Sequence, residues 1–250
     1  MKVLLAIPAR YGSTRFEGKP LADICGKTMI QRVVEQCKLV QDLTQDHIDV
    51  VVATDDLRIF NHVSIFGKAI MTSSTHQSGT DRIAEVATHM QNAYDVIINV
   101  QGDEPLIHPK QILQLIDCFR NTETQIATLI KPESFTSELT SSNAVKCVVD
   151  IHLKALYFSR FPIPYYRDEA TRAGEVFYRH VGMYGFNAPV LEKLTQLPTS
   201  MLEKAESLEQ LRWLENGFQI QTALTNYENI SVDSPEDLDR VVTLLTSNQH

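Results

Sequence analysis

Lys2-Val3-Leu4-Leu5-Ala6-Ile7 runs directly into Pro8-Ala9-Arg10-Tyr11-Gly12-Ser13-Thr14-Arg15-Phe16-Glu17-Gly18-Lys19-Pro20-Leu21. The first six residues are almost continuously apolar, the pattern of a strand buried on both faces. Such a strand belongs to a sheet covered by helices, and the chain beyond it reads that way. Met29, Ile30, Val33, Val34 and Cys37 recur at helical spacing, residues 48–53 form a second buried strand, and 57–66 a helix. Residues 69–72 read as a short strand, and Ile83, Val86, Ala87 and Met90 mark the helix after it. Residues 95–100, 109–119 and 125–131 continue as strand, helix, strand. This alternation predicts βαβ units and an α/β fold with a mostly parallel central sheet.

The second half is less regular. Residues 144–149 and 155–158 read as strands around a turn at 150–154, and 177–186 alternates like a strand. The polar, proline-containing stretch 162–175 reads as a loop or insertion, and 189–196 and 207–215 as helices, the latter stopped by Asn216-Gly217. Residues 231–233 are expected to end a last strand. Ser234-Pro235-Glu236-Asp237 then opens a final amphipathic helix, with Ser234 as N-cap and Pro235 in the first turn. We expect one domain over residues 1–250, with a smaller antiparallel lobe around 150–190.

The composition is that of a globular protein, 43% hydrophobic and 22% charged. A formal charge of -8 argues against a nucleic-acid binder, which needs a basic face, but leaves room for a small phosphorylated substrate. No apolar run approaches a membrane span. The apolar start meets Pro8-Ala9-Arg10 too soon for a signal-peptide core, so the expected address is the cytoplasm. Cys25, Cys37, Cys118 and Cys147 form no C-x-x-C pair and read as reduced thiols, mostly buried.

In open α/β sheets ligands bind beyond the carboxyl ends of the strands. The loop after the first strand carries Arg10, Arg15 and Lys19, a Ser-Thr pair, and Gly12 and Gly18, a composition that suits a phosphate. It has no G-x-G-x-x-G, and Gly12…Gly18-Lys19-Pro20 is one residue too long for a P-loop and lacks its hydroxyl. After the second strand, Thr54-Asp55-Asp56 offers either ligand groups or a helix cap. Ser78-Gly79-Thr80-Asp81-Arg82 precedes a helix, where hydroxyls and free N–H groups suit a base or an anion, and where capping explains Thr80 equally well. Asn99-Val100-Gln101-Gly102-Asp103-Glu104-Pro105 presents Asp103 in a turn at a strand end, suited to hold Mg²⁺ against a phosphate oxygen. Asp233 is either a second metal ligand or the residue before a cap.

Taken together, these segments resemble the 3-deoxy-manno-octulosonate cytidylyltransferases, enzymes that make CMP-KDO for bacterial lipopolysaccharide. The likeness runs nearly end to end. It passes through IPARYGSTRFEGKPL at 7–21, ATDD at 53–56, HQSGTDR at 76–82 and NVQGDEP at 99–105. It continues through NAVK at 143–146, ALYFSR at 155–160, RHVGMY at 179–184, LEQLR at 208–212 and VDSPEDL at 232–238. The resemblance implies a Rossmann-like nucleotide-diphospho-sugar transferase fold and a homodimer joined through the smaller lobe. It implies CTP and KDO as substrates, with Arg10, Arg15 and Lys19 on the triphosphate. Ala9, Thr54, Asp55, Ser78, Gly79, Thr80 and Arg82 would then surround the cytidine, and Asp103 and Asp233 would hold Mg²⁺. Gln101, Arg160, His180, Tyr184, Glu209 and Gln210 would line the sugar-acid site, with Lys19, Asp103 and Asp233 as the catalytic set. KDO carries a carboxylate, and Arg160 and His180 are the expected cations for it. Phe16-Glu17 departs from the family's usual Leu-Pro, which removes a rigid turn from the phosphate loop. A cytidylyltransferase for 8-amino-KDO or sialic acid is the nearest alternative. A nucleotide-binding regulator without turnover is a more distant one, since a sensor needs no paired metal carboxylates.

Overall fold

The computed structural model describes residues 1–12, 15–76, 78–90, 94–134, 140–168 and 176–247. Where the sequence points to one domain with an excursion at 150–190, the chain divides into two compact units. One comprises Met1–Leu113 with Glu228–His250, the other Gln114–Tyr227.

In the first unit the chain forms β1 (Lys2–Ala9), a short hairpin of β2 (Asp23–Ile24) and β3 (Lys27–Thr28), and α1 (Met29–Lys38). It continues with β4 (His47–Thr54), α2 (Leu57–Val63), β5 (Lys68–Met71), α3 (Gly79–His89) and β6 (Val96–Asn99). β1 pairs in parallel with β4 on one side and β6 on the other, and β4 pairs in parallel with β5. Val3 to Ile7 are wholly buried, as the unbroken apolar run requires. Met29, Ile30, Val33, Val34 and Cys37 are the buried face of α1, and Thr28 caps it by accepting from the Gln31 N–H. Burial raises the thiol pKa of Cys37 and Cys147, so both are inert, while Cys25 is exposed.

The helix α4 (Pro109–Cys118) leads into the second unit. There follow β7 (Ile126–Ser134), β8 (Lys146–Val149), β9 (Ala155–Ser159) and β10 (Val176–Asn187). Next come α5 (Ala188–Thr195), α6 (Met201–Glu206), α7 (Glu209–Glu215) and β11 (Ile220–Leu224). β10 pairs antiparallel with β7 and with β8, and β8 antiparallel with β9; β11 joins β7 in parallel. The antiparallel lobe expected from the sequence is therefore present and wider than 150–190. Residues 169–175 of the expected loop lie outside the described residues.

The helix expected over 207–215 forms as α7, and a short helix not expected from the sequence, α6, precedes it: α6 carries a capping box between Ser200 and Glu203, and Ser207, in the left-handed region, separates the two. One expectation needs correction. The last strand is β11, and residues 231–233 belong to no strand. Their backbone is used by the functional site instead. The final helix, α8 (Pro235–Ser247), starts as expected, with the Ser234 hydroxyl accepting from the Asp237 N–H.

Candidate active site

The parallel pairing of β1, β4 and β6 brings Ala9, Thr54 and Asn99 to one edge of the first unit's sheet. Beyond that edge lies a cleft of about 460 Å³. Ala9, Arg10, Arg15, Lys19, Gly79, Arg82, Gln101, Asp103 and Asp233 all line it, so most of the nucleotide and metal residues expected from the sequence meet here. Gly102 explains how the acidic turn gets so close. A Cβ at this position would sit 2.7 Å from the Pro8 carbonyl oxygen, so only glycine lets residues 101–103 pack on the end of β1.

Lys19 is the centre of the cluster. Gly18, at φ 71°, turns the chain into a single 3₁₀ turn over Lys19–Leu21, with Pro20 in its first half. The Lys19 ammonium donates to Asp103 Oδ2 at 2.7 Å, to the Val232 carbonyl at 3.0 Å and to Asp233 Oδ1 at 3.3 Å. Those three acceptors match the three donors of an ammonium group. Arg15 Nη2 also reaches Asp233 Oδ1, at 3.1 Å. The Val232 N–H donates to the Asp103 carbonyl at 2.9 Å, which ties the two acidic segments together. This is why residues 231–233 form no ladder: Val232 gives both its backbone groups to the site. Behind them, Gln111 donates to Asn229 and Asn229 to buried Glu104, which holds the returning segment in place.

Not every residue assigned to the cytidine faces the cleft. Thr54 is fully buried, its hydroxyl accepting from the Asp56 N–H. Asp56 is the N-cap of α2 and Ser78 that of α3, accepting from the Asp81 N–H at 3.1 Å. Thr80 is buried in the first turn of α3. Asp55 pairs with Arg82, a fully buried guanidinium that also donates to the Thr72 hydroxyl. Arg82 Nε and Asn99 Oδ1 are buried and make no hydrogen bond within the protein. Leaving a buried polar group unpaired costs about 1–3 kcal/mol, so both are suited to meet a ligand at the strand ends. Asn99 has no assigned role in the sequence; its only signal is a polar residue closing the apolar strand Val96–Asn99. Arg10 is exposed and donates to the His76 carbonyl, while the His76 ring meets Glu85.

Phe16, the departure from the family's Leu-Pro, has a structural counterpart. Its ring packs on the apolar cluster of Ile24, Met29, Val232 and Val241. The loop thus has a hydrophobic anchor at Phe16, where the family has leucine, and it is Glu17 that replaces the proline.

Of the sugar-acid residues expected from the sequence, only Gln101 lies in the first unit; the others lie in the second. There, His180 and Tyr184 on β10 form an aromatic group with Phe158, Phe186 and Trp213. Trp213 is buried core, as its place in α7 implies. Burial, and secondarily the charge of Arg179, lowers the His180 pKa to about 3, and its Nε2 lies 3.0 Å from the Thr128 hydroxyl. His180 is therefore neutral at physiological pH. The expectation that it supplies a cation is overturned, because the ring is desolvated among apolar neighbours. Arg160 donates from Nε to the Glu206 carbonyl at 2.7 Å, from Nη1 to that of Ser142 at 2.9 Å and from Nη2 to that of Ser207 at 3.2 Å. Tyr184 Oη and Gln210 Nε2 are buried and make no hydrogen bond within the protein. Glu209 begins α7 beside Gln210.

Among the described residues no group of three or more His, Cys, Asp or Glu gathers as a metal centre. The pair Asp103 and Asp233 nevertheless fits Mg²⁺, which binds through one or two carboxylates plus substrate phosphates rather than through an all-protein cage.

Comparison with known proteins agrees with this chemistry. The family model described as "Cytidylyltransferase" matches residues 4–225. The 3-deoxy-manno-octulosonate cytidylyltransferase of Parabacteroides distasonis is 50% identical, with 99% of each chain covered. That of Bacteroides thetaiotaomicron is 48% identical, covering 95% of this chain and 96% of its own. The solved structure of a CMP:2-keto-3-deoxy-manno-octonic acid synthetase complexed with CTP superposes with a TM-score of 0.91 at 41% identity, covering 99% of this chain and all of that one. At 13% identity and a TM-score of 0.64, 4-diphosphocytidyl-2C-methyl-D-erythritol synthase from Anaerococcus prevotii shares the fold alone. The α/β nucleotide-diphospho-sugar transferase fold is thus the fold of this chain, and the chain belongs to the cytidylyltransferase family, among the 3-deoxy-manno-octulosonate cytidylyltransferases.

Proposed function

We propose that this chain transfers CMP from CTP to the anomeric hydroxyl of KDO, releasing pyrophosphate and supplying the activated sugar acid for lipopolysaccharide synthesis. The observation that carries the reading is Lys19 held between Asp103 and Asp233 in a cleft rimmed by Arg10 and Arg15. Nucleotidyl transfer asks for positioning and charge neutralisation rather than a covalent enzyme intermediate. Arg10 and Arg15 bind the triphosphate. Lys19, already at the acid pair, meets the charge that grows on the transferred and leaving phosphates. Arg82 and Asn99, each with an unpaired buried atom, are placed for the nucleoside.

Asp103 and Asp233 are the residues that would hold Mg²⁺. When bound, the ion supplies positive charge at the α-phosphate and lowers the pKa of the attacking sugar hydroxyl. Gln101, Arg160, His180, Tyr184, Glu209 and Gln210 bind the sugar acid, with His180 as a neutral hydrogen-bonding group and Arg160 as the cation. The chain works as a homodimer in the cytoplasm, with no nucleic-acid partner and no membrane insertion. Support for the dimer comes from the second unit, where Ile151, Leu156, Phe161 and Tyr165 are all more than half exposed. No helix among the described residues is long and apolar enough to cross a membrane.

The deciding assay is pyrophosphate release from CTP. Release that requires both KDO and Mg²⁺ supports the reading. Release with sialic acid or 8-amino-KDO and not with KDO would overturn the substrate, and no release with any of them would overturn the activity.

A further inference from the structure

Arg58 lies outside the cleft, on the first turn of α2, yet it is fastened in place. Asp56, the cap of that helix, accepts from the Arg58 backbone N–H at 2.8 Å and from its guanidinium twice, at 3.0 Å through Nε and 2.7 Å through Nη2. A two-point bond of this kind fixes the plane of the guanidinium as well as its position. That group lies over the ring of Tyr11, with Cζ 3.2 Å from the ring centroid. Tyr11 is the residue directly after Arg10, at the start of the basic loop. Its ring also abuts the far end of the same loop: a Cβ at Gly18 would lie 3.0 Å from Tyr11 Cζ and Oη. The Gly18 N–H closes the loop by donating to the Tyr11 carbonyl at 2.8 Å.

The Tyr11 ring is therefore gripped between Arg58 and Gly18, next to Arg10 on one side and Lys19 on the other. We infer that Arg58 is a positioning residue for nucleotide binding: clamped by Asp56, it pins the Tyr11 ring and thereby fixes both ends of the phosphate loop before the nucleotide arrives. A planar cation over an aromatic face attracts its quadrupole, and a pre-ordered loop loses less entropy when it binds. Lysine would not replace Arg58, because an ammonium has no plane for Asp56 to hold.

The consequence for CTP rests on the proposed function, whereas the latch itself does not, so the test has two readouts. Hydrogen exchange in a peptide spanning residues 9–21, without ligand, should quicken about fivefold or more in Arg58→Ala and Tyr11→Leu, and stay near wild type in Tyr11→Phe. Arg58→Lys should resemble Arg58→Ala. Unchanged exchange in Arg58→Ala would overturn the latch whatever the activity. On the second readout, Arg58→Ala should raise the KM for CTP roughly five- to tenfold with kcat and the KM for KDO little moved, and Tyr11→Leu should add little to it. Quickened exchange with unaltered CTP affinity would leave the latch standing and count against this loop as the triphosphate site. Full additivity of Arg58→Ala and Tyr11→Leu in the KM for CTP would show that the two act separately and overturn the inference.

Discussion

Lys19 Nζ and Asp103 Oδ2 stand 2.7 Å apart, the lysine only 15% exposed and the aspartate 26%. They are 84 residues apart in the chain and meet because Gly102 lets one turn press against the strand that leads to the other. This pair neutralises an acidic site that would otherwise repel itself, and in the proposed reaction it keeps the lysine where phosphate charge would develop.

Asp103→Asn preserves the size of the side chain and removes the charge. It should fold normally and lose turnover on the order of a hundredfold or more, about 3 kcal/mol of transition-state stabilisation. Steady-state pyrophosphate release at saturating Mg²⁺ checks this. Near-normal turnover of a folded variant would remove Asp103 from the catalytic set.

Arg10 and Lys19 should separate in kinetics. Arg10 is exposed and rims the cleft, so Arg10→Ala should raise the KM for CTP with kcat little changed. In the proposed reaction Lys19 meets charge that grows in the transition state, so Lys19→Ala should lower kcat. If both substitutions alter only the KM for CTP, this division of labour is wrong.

Tyr184 Oη is buried with no hydrogen-bond partner, so Tyr184→Phe should not lower the Tm of the free protein and should weaken KDO binding. Glu209→Ala should raise the KM for KDO roughly tenfold, about 1.4 kcal/mol, with the KM for CTP barely moved. A rise confined to CTP would move α7 out of the sugar site.

His180 gives a pH dependence with a definite sign. Its pKa is lowered to about 3 in the folded chain, against about 6.5 when unfolded. Between those values the unfolded state binds a proton that the native state does not, so stability is lost as pH falls from about 6.5 toward 3. Chemical denaturation of wild type and His180→Asn across that range should show a shallower slope in the variant. The difference should approach one proton, about 1.4 kcal/mol per pH unit. Parallel curves would mean that His180 is protonated in the native state.

Phe161 and Tyr165 are 74% and 84% exposed. Phe161→Asp should convert a dimer to a monomer in light scattering. A wild-type chain that scatters as a monomer at micromolar concentration would contradict the proposed homodimer.

The chain determined a good deal by local pattern alone. The unbroken apolar run at residues 3–7 is compatible only with burial on both sides, and strand–helix alternation then points to parallel pairing. The basic loop and Asp103 are legible because charge and glycine concentrated at a strand end need a ligand to explain them. What local pattern does not carry is distance across the chain. Residues 231–233 look like a strand end, but Val232 spends its backbone groups on Asp103 and Lys19, which only the fold brings near. His180 reads as a candidate cation until its surroundings are known; Phe158 and Tyr184, packed against it, keep it neutral. Nothing in the sequence around Arg58 indicates the Tyr11 ring beneath it. Periodicity and composition report the free energy of burial, which is local and additive. Ion pairs, desolvation and orphaned hydrogen bonds depend on which groups meet, and tertiary packing alone decides that.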